Sequence, residues 1–458
     1  MDDLTDSKSI LTLMEALKEI DLVREQAEKC VRCGLCLTVC PVYAEEQDER
    51  YVARGRNRLL SEIIDDHKDL MVGLKDRFSK CLLCRRCTMV CPQGVRTDLL
   101  NIAARAELVK GDGLPVYKSL PFRKVLNNRK LMRKALRAAS KFQWVLPVTK
   151  EPEDKIHHIP LQTEGKIRHI PLFLAGLGGG RQLPSIAKRS LSDDIPELHP
   201  PLANVKNRNM RVAYFSGCAT EFSFPEVGKA LIKILNKLGV EVIFPKEQGC
   251  CGIAVFASGD LKTAREMALH NLEVFSQLDA DLIVTGCATC GSALKDGWAS
   301  YLPENEQERT KFEDFGSKVR DISELLVDLA DFKPLRYRSI LPENTRVTYH
   351  DPCHLARYQG VIDQPRKILK QVFSDNFVEM DNNGCCGMGG SFNVEHYELS
   401  KKIAKKKVDS IAKTGTDVVI NTCPGCMIQL IDNIERYHLP QRVVHLVEAI
   451  EPIRDSEE

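Results

Sequence analysis

Eighteen cysteines are the residues of this chain best able to do chemistry, and they are not scattered. Eight form two runs, Cys30, Cys33, Cys36 and Cys40-Pro41, then Cys81, Cys84, Cys87 and Cys91-Pro92. Each run reads C-x2-C-x2-C-x3-C-P. In that spacing three thiolates wrap one corner of a 4Fe-4S cubane and the fourth crosses to the other cluster. This assigns one cubane to Cys30, Cys33, Cys36 and Cys91, and the second to Cys81, Cys84, Cys87 and Cys40. Zinc also takes four thiolates, but zinc ribbons use paired C-x2-C and need no third cysteine at the same step before a C-P. The chemistry of the two runs is electron transfer.

The other ten cysteines form an internal repeat. Cys218, Cys250-Cys251 and Cys287-x2-Cys290 recur as Cys353, Cys385-Cys386 and Cys423-x2-Cys426, at offsets of 135, 135, 135, 136 and 136 residues. The flanks repeat as well: Val212-Ala213-Tyr214-Phe215 parallels Val347-Thr348-Tyr349-His350, and Gly249-Cys250-Cys251-Gly252 parallels Gly384-Cys385-Cys386-Gly387. Five neighbouring thiols in a reducing compartment are oxidation liabilities unless they hold metal. Structural zinc in each copy is the competing reading. Disulfides are disfavoured because adjacent Cys250 and Cys251 do not both pair easily.

The elements that must position these thiols follow from periodicity. Leu11 to Lys29, Tyr51 to His67 and Thr97 to Lys110 carry apolar residues at helical spacing, so residues 1–110 read as a helical ferredoxin module. In the first repeat, Met210–Phe215, Val240–Phe244 and Asp281–Thr285 read as strands, and residues 225–238 and 261–278 as helices. In the second, Arg346–Tyr349, Phe377–Glu379 and Asp417–Ile420 are the expected strands. The cysteines then fall just after strands, where open α/β sheets place their ligands. The fold class is α+β and multidomain: the ferredoxin module, then two pseudo-symmetric α/β lobes at 210–335 and 336–458.

Between them lies a proline-punctuated linker, 111–209, with a basic first half. Phe122 to Lys141 reads as an amphipathic helix bearing Arg123, Lys124, Arg129, Lys130, Arg133, Lys134 and Arg137. That face suits an anionic membrane surface or an acidic partner; the alternative is a helix packed on the protein with a solvated basic side. Gly176-Leu177-Gly178-Gly179-Gly180 lacks the strand and lysine of a nucleotide loop. With 43% apolar and 28% charged residues the chain is an ordinary globular one, and a net charge of +2 gives no bias toward nucleic acid. No run is long enough to cross a membrane, and the first residues lack the basic and apolar regions of a secretory signal. The expected location is cytoplasmic, with any membrane contact peripheral, at the inner face.

The pattern C-x31-C-C-x35-C-x2-C, then C-x31-C-C-x36-C-x2-C, resembles the tandem cysteine-rich CCG domains of heterodisulfide reductase catalytic subunits. Behind a two-cluster ferredoxin module it is similar to the iron–sulfur subunits of glycolate, D-lactate and anaerobic glycerol-3-phosphate dehydrogenases. His350-Asp351-Pro352-Cys353-His354, Cys385 through Phe392 and Arg54-Gly55-Arg56 look most like the lactate and glycolate group. The resemblance covers residues from about 25 to 450, apart from the linker. It implies a noncubane 4Fe-4S cluster in each lobe, held by Cys218, Cys250, Cys251, Cys287 and Cys290, and by Cys353, Cys385, Cys386, Cys423 and Cys426. It also implies an oxidoreductase subunit that takes electrons from an FAD-containing dehydrogenase acting on a 2-hydroxy acid (D-lactate or glycolate). The electrons pass to a quinone, an electron-transferring flavoprotein or another redox carrier. The alternative is a catalytic subunit that cleaves a disulfide at a noncubane cluster.

One asymmetry separates the repeats. Phe215, Ser216 and Ala219 of the first become His350, Asp351 and His354 in the second. Titratable groups beside a cluster suit a proton relay, with tuning through hydrogen bonds as the plainer reading. On the relay reading the second lobe is the exit or chemistry end, and the first lobe an intermediate station.

Overall fold

A computed structural model of the chain describes residues 21–64, 74–147, 167–169, 180–202, 209–328 and 337–453. From 21 to 147 the described residues form helices and no strand: Asp21–Glu28, Leu35–Val39, Tyr43–Glu46, Ala53–Ile64, Leu74–Ser79, Arg86–Met89 and Thr97–Asp112 lead into the linker. The expected helix 11–29 is described only from Asp21, and residues 65–67 of the expected 51–67 helix also lie outside the described residues. The latter does not start at Tyr51. A 3-10 turn at Glu49–Tyr51 and extended Val52 precede Ala53. Gly55 is required there, since a Cβ would lie 1.9 Å from the Glu49 carbonyl oxygen. Leu59, Leu60, Leu74, Phe78, Val95, Leu100 and Ala104 make a core of their own for this module.

The linker corrects one expectation. Residues 122–141 are not one helix: a π-helical stretch Pro121–Leu126 gives way at Asn127-Asn128 to a new helix, Arg129–Phe142. Asn128 caps it, its side chain accepting from Leu131 N at 3.0 Å, the role in which asparagine is favoured over helix interiors. Phe122 and Met132 are buried. The arginines grip the first lobe and a short linker helix, Leu191–Asp194, that Lys229 of the lobe holds through Asp194: Arg123 pairs with Asp260 at 2.8 Å, Arg129 donates to the Gln248 carbonyl, Arg133 to Ser192, and Arg137 pairs with Asp193 at 2.6 Å. Further on, β1 (Ile167–His169) and β2 (Gln182–Pro184) pair antiparallel. Gln182 N donates to Asp432 in the second lobe at 2.7 Å.

The first lobe holds a sheet of β3 (Leu198–His199), β4 (Arg211–Tyr214), β5 (Glu241–Ile243), β6 (Leu282–Thr285) and β7 (Val319–Asp321), in the order β3-β5-β4-β6-β7. Only β3 runs antiparallel. Val212, Ala213 and Tyr214 are all buried, the unbroken apolar run of a strand covered on both faces. After β8 (Tyr337–Ser339), the second lobe has only β9 (Val347–Tyr349), β10 (Val418–Asn421) and β11 (Arg442–His445), all parallel. β12 (Ile450–Pro452) closes on β8. The strand expected at 377–379 is reduced to one bridge between Phe377 and Val347. The chain then turns away through Asp381, Asn382, Asn383 and Gly384, residues that favour turns. The lobes share one core and are joined by Ala288 N donating to Thr422 O at 3.1 Å and by the His445 ring to Gly286 O at 2.8 Å.

Candidate metal centres

Two cavities in the helical module bring its eight cysteines together in crossed sets. One is lined by Cys40, Cys81, Cys84 and Cys87, the other by Cys30, Cys33, Cys36 and Cys91, with Cys87 on the wall of both. The two loops repeat an unusual backbone: Arg32 and Leu83, then Gly34 and Arg85, all have positive φ near 50–90°. Non-glycine residues are rarely held there, and at a functional loop such strain is a consequence of the shape the loop must take. Amides of these loops turn inward, Leu83 N reaching Cys81 Sγ at 3.4 Å. Buried Arg56 donates to Arg77 O and Lys80 O at 2.9 and 3.0 Å, fixing the chain just ahead of Cys81. This accounts for one arginine of the Arg54-Gly55-Arg56 stretch. Burial pushes the Cys40 thiol up to about 11 and the Cys87 thiol up too. Four sulfurs around one cavity, most of them half-buried, fit a multinuclear cation that compensates the thiolate charge that burial opposes.

In each lobe the five thiols converge from three loops at the carboxyl ends of the strands. Cys218 lies in the Gly217–Phe222 helix after β4, and Cys353 begins the Cys353–Ala356 turn of helix after β9. The cysteine pairs end in left-handed glycines, Gly252 with φ 77° and Gly387 with φ 89°. Cys287 and Cys290 follow β6, while Cys423 and Cys426 follow β10 at the start of helix Pro424–Arg436. Gly217 lets the chain pass the first site, since a Cβ there would lie 2.7 Å from Cys290 Sγ. Cys386 Sγ and Cys426 Sγ are 3.8 Å apart, and Gly387 N donates to Cys385 Sγ at 3.3 Å. Thiols lower one another where they crowd: Cys251 is held down by Cys250 and Cys290, and Cys386 by Cys385 and Cys426. None of the ten is in a disulfide. Such a density of sulfur fits a metal cluster and not isolated core cysteines.

Sequence reasoning missed the amide that precedes each cysteine pair. Gln248 accepts from Ser216 N at 2.9 Å and donates to Tyr214 O at 3.0 Å; Asn383 accepts from Asp351 N at 3.1 Å and donates to Tyr349 O at 3.2 Å. The same pair of bonds thus ties the cysteine-pair loop to the first-cysteine loop in both lobes. Lys407 was missed too. It lies on the stripe Ile403, Lys407, Ile411 of a helix, is buried, and reaches Asn383 Oδ1 at 2.8 Å. Burial lowers it to about 8. A lysine on an apolar stripe was the readable signal.

Packing contacts link the four sets of thiols to one another. Cys84 and Cys385 share an apolar cluster with Val42, Leu82 and Phe392, with Cys40 and Cys353 at its edge. Arg357 donates to Cys84 O and Tyr358 to Leu83 O, both at 2.6 Å. A Cβ on Gly389 would lie 2.6 Å from the Leu82 side chain. The second lobe therefore abuts the ferredoxin module. It meets the first lobe where Cys423 Sγ lies 3.1 Å from Thr289 Oγ1 and beside Cys287, which with Cys426 holds the Cys423 thiol down. The second lobe's thiols thus lie between the ferredoxin module and the junction with the first lobe.

Among the described residues no hydrogen bond joins His350, Asp351 and His354 to one another. Asp351 is committed to Arg366, with bonds of 2.9 and 2.6 Å, and to Asn383 at 2.8 Å. His354 stacks on Tyr358, its Nδ1 is 3.3 Å from Cys353 Sγ, and burial lowers it to about 4, so it is neutral near pH 7. His350 is turned onto the sulfurs of Cys386 and Cys426, with no nitrogen or oxygen partner for its ring.

These sites recur in known proteins. A model of a 4Fe-4S dicluster domain matches residues 26–95, and a cysteine-rich domain matches twice, at 212–295 and 347–431. The chain is similar to the probable glycolate oxidase iron–sulfur subunit of Bacillus subtilis (strain 168), with 29% identity over 430 residues that cover 92% of each chain. It is 30% identical over 428 residues to an uncharacterized iron–sulfur protein of Methanococcus maripaludis, covering 92% of this chain and 70% of that one. A subunit of the dihydromethanophenazine:CoB–CoM heterodisulfide reductase of Methanosarcina mazei is 26% identical over 449 residues, covering 93% of both.

Proposed function

The chain belongs to the iron–sulfur oxidoreductase subunits that join a 4Fe-4S dicluster domain to two cysteine-rich domains, and from that premise we propose that it carries electrons for a 2-hydroxy acid dehydrogenase complex. The electron source is an FAD-containing partner that oxidises glycolate or D-lactate, and the acceptor is a quinone, an electron-transferring flavoprotein or a similar carrier. Cys30, Cys33, Cys36 and Cys91 hold one cubane, and Cys40, Cys81, Cys84 and Cys87 the other. The two sets of five, Cys218, Cys250, Cys251, Cys287 and Cys290, and Cys353, Cys385, Cys386, Cys423 and Cys426, hold a noncubane cluster each. Such clusters take up and release single electrons with little rearrangement. The observation that carries the reading is the unbroken line of ligand sets, with Cys87 common to two cavities, Cys84 beside Cys385, and Cys423 beside Cys287. The protein's part is to fix spacing, exclude water and set potentials through burial and hydrogen bonds.

Disulfide cleavage, the alternative, needs a substrate sulfur to reach a cluster. Cys287, Cys290, Cys423 and Cys426 are all buried at the junction of the lobes, which favours relay over substrate chemistry there. The test is anaerobic addition of glycolate or D-lactate to the full chain co-expressed with a flavoprotein dehydrogenase. Bleaching of cluster absorbance after flavin reduction is expected. A reduced flavin beside clusters that stay oxidised, or zinc in excess of iron, overturns the proposal.

We place the membrane-facing side at the linker helix. No described helix is long and apolar enough to cross a membrane. Four of the seven basic residues of the expected docking face are spent on the first lobe and the helix Leu191–Asp194, but Lys124, Lys130, Lys134 and Lys141 are exposed, beside exposed Leu131, Phe142, Trp144 and Val145. Lysines beside exposed aromatics suit a peripheral contact with anionic lipid. Binding to phosphatidylglycerol vesicles should fall with salt and on replacing the four lysines by Gln. Binding that is absent, or indifferent to both changes, leaves a packed helix alone.

A further inference from the structure

His350 stands at the position that Phe215 fills in the first lobe, three residues before the first cysteine of each set. Phe215 needs no polar partner, and its ring packs on Phe275 with centroids 5.7 Å apart. His350 is just as buried, at 1% exposure, yet no nitrogen or oxygen partners either ring nitrogen, and what the ring faces is the Cys386 sulfur. Its place is fixed from the backbone, where His350 N donates to Ile420 O at 2.9 Å and continues the ladder between β9 and β10. A ring nitrogen, Cys386 Sγ and Cys426 Sγ all lie within 4.8 Å of one another. Ligands of one tetrahedral ion, at roughly 2.0 Å for nitrogen and 2.3 Å for sulfur, stand about 3.5 Å apart, so a small inward turn of these side chains would close them on one metal. Buried imidazoles are paired as a rule, and a ring whose only polar neighbours are ligand sulfurs is placed to share their metal.

We infer that His350 is a nitrogen ligand of the second lobe's metal centre, making that centre a mixed imidazole–thiolate site where the first lobe's is thiolate alone. This rests on the reading that Cys353, Cys385, Cys386, Cys423 and Cys426 hold an iron–sulfur cluster. The carboxylate or carbonyl that usually orients a ligating histidine is replaced here by the strand end and the surrounding core. His354 is the contrasting case: its Nδ1 meets Cys353 Sγ at hydrogen-bond distance, and it stays a neighbour of the ligand and not a ligand.

The experiment uses the full chain labelled with 15N-histidine, reduced with dithionite, and read by pulsed EPR for nitrogen coupled to a cluster. Iron is counted in parallel for Cys386→Ala, which separates the two readings. A strong histidine coupling is expected, several times that of a hydrogen-bonded nitrogen. It should be lost in His350→Phe, which copies the first lobe, and retained in His354→Ala. Iron lost in Cys386→Ala with no strong coupling in the unmutated chain overturns the ligand assignment and leaves the cluster reading standing. So does strong coupling that survives in His350→Phe, or that vanishes in His354→Ala. Iron unchanged in Cys386→Ala overturns both. Should His350→Phe fail to fold, the coupling in the unmutated chain and in His354→Ala decides alone.

Discussion

The two lobes are one scaffold used in two surroundings. Gln248 and Asn383 make the same pair of backbone bonds, Gly252 and Gly387 close the same turn, and Cys287 and Cys423 end corresponding strands. What differs is the wall of each site. Phe215 and Asn271 line the first, with Asn271 donating to Cys250 O at 3.0 Å. In the second, His350 replaces the phenylalanine, and Lys407 stands on the corresponding helix at the place of Asn271. The second lobe touches the ferredoxin module, and so does the first, through Arg85 to Asp296, Tyr301 to Asp98 and Arg105 to Ala257 O. Duplication thus preserved the frame that collects sulfur. The charge around that sulfur follows from where each copy sits in the line.

Removing one cluster from each lobe breaks the comparison most severely. Cys386→Ala and Cys251→Ala should each lose about four irons, but with unequal consequences. In Cys386→Ala the first lobe is cut off from the ferredoxin sites, so its cluster should miss the fast phase of reduction by the flavoprotein in freeze-quench EPR. In Cys251→Ala the second-lobe cluster should be reduced as before. Equal loss of the fast phase in both variants would sink the linear order.

A smaller effect sharpens the pairing of the turns. A Cβ on Gly252 meets nothing nearer than 3.5 Å, whereas on Gly387 it would lie 2.7 Å from the Ser400 carbonyl oxygen. Both substitutions force alanine into the left-handed region, at about 1 kcal/mol. Gly387→Ala adds a backbone clash worth roughly 1–3 kcal/mol more. Denaturant-induced cluster loss should therefore move further in Gly387→Ala than in Gly252→Ala, and the reverse ranking would mean the second turn relaxes freely.

The sets of thiols that meet around each cavity are those the spacing pairs, because a cluster's ligands must come at short fixed intervals and the interval is written in the chain. The helical module and the strand-then-cysteine logic of the lobes were legible for the same local reason. The order of the lobes was not. It is set by Arg357 and Tyr358 reaching carbonyls of Cys84 and Leu83 and by Gly389 admitting Leu82, contacts across nearly three hundred residues that leave no periodicity. The single helix expected over 122–141 failed on two adjacent asparagines whose capping role outweighed the apolar stripe. The strand expected at 377–379 failed on the turn-forming residues beyond it. Nor does composition reveal that arginines of a basic face are turned inward onto Asp193, Asp260 and Gln248.

The smallest effect concerns how the linker is held, since two carboxylates that hold it, its own Asp193 and Asp432 of the second lobe, respond to acid in opposite directions. Asp193 receives Arg137 from the linker helix. Partial burial opposes its ionisation, but the Arg137 guanidinium and the Ser190 hydroxyl and N–H win and hold it at about 2, against 3.8 ordinarily. A depressed carboxylate stabilises above its unfolded pKa and loses that contribution as pH falls through the folded one, so this anchor weakens only between about pH 4 and pH 2. Asp432 receives Gln182 N, and burial raises it above its ordinary value despite that bond and Arg436. A raised carboxylate contributes most below its unfolded pKa and loses that contribution as pH rises through the folded one, so mild acid does not weaken the second anchor. Hydrogen exchange of the helix Arg129–Phe142 and of β2 between pH 7 and pH 4, corrected for intrinsic rates, should show neither loosening. Below pH 4 the helix should loosen first, and Asp193→Asn should bring that behaviour to neutral pH. A β2 that opens before the helix as pH falls from 7 would show that Asp432, and not Asp193, is the carboxylate the linker needs ionised.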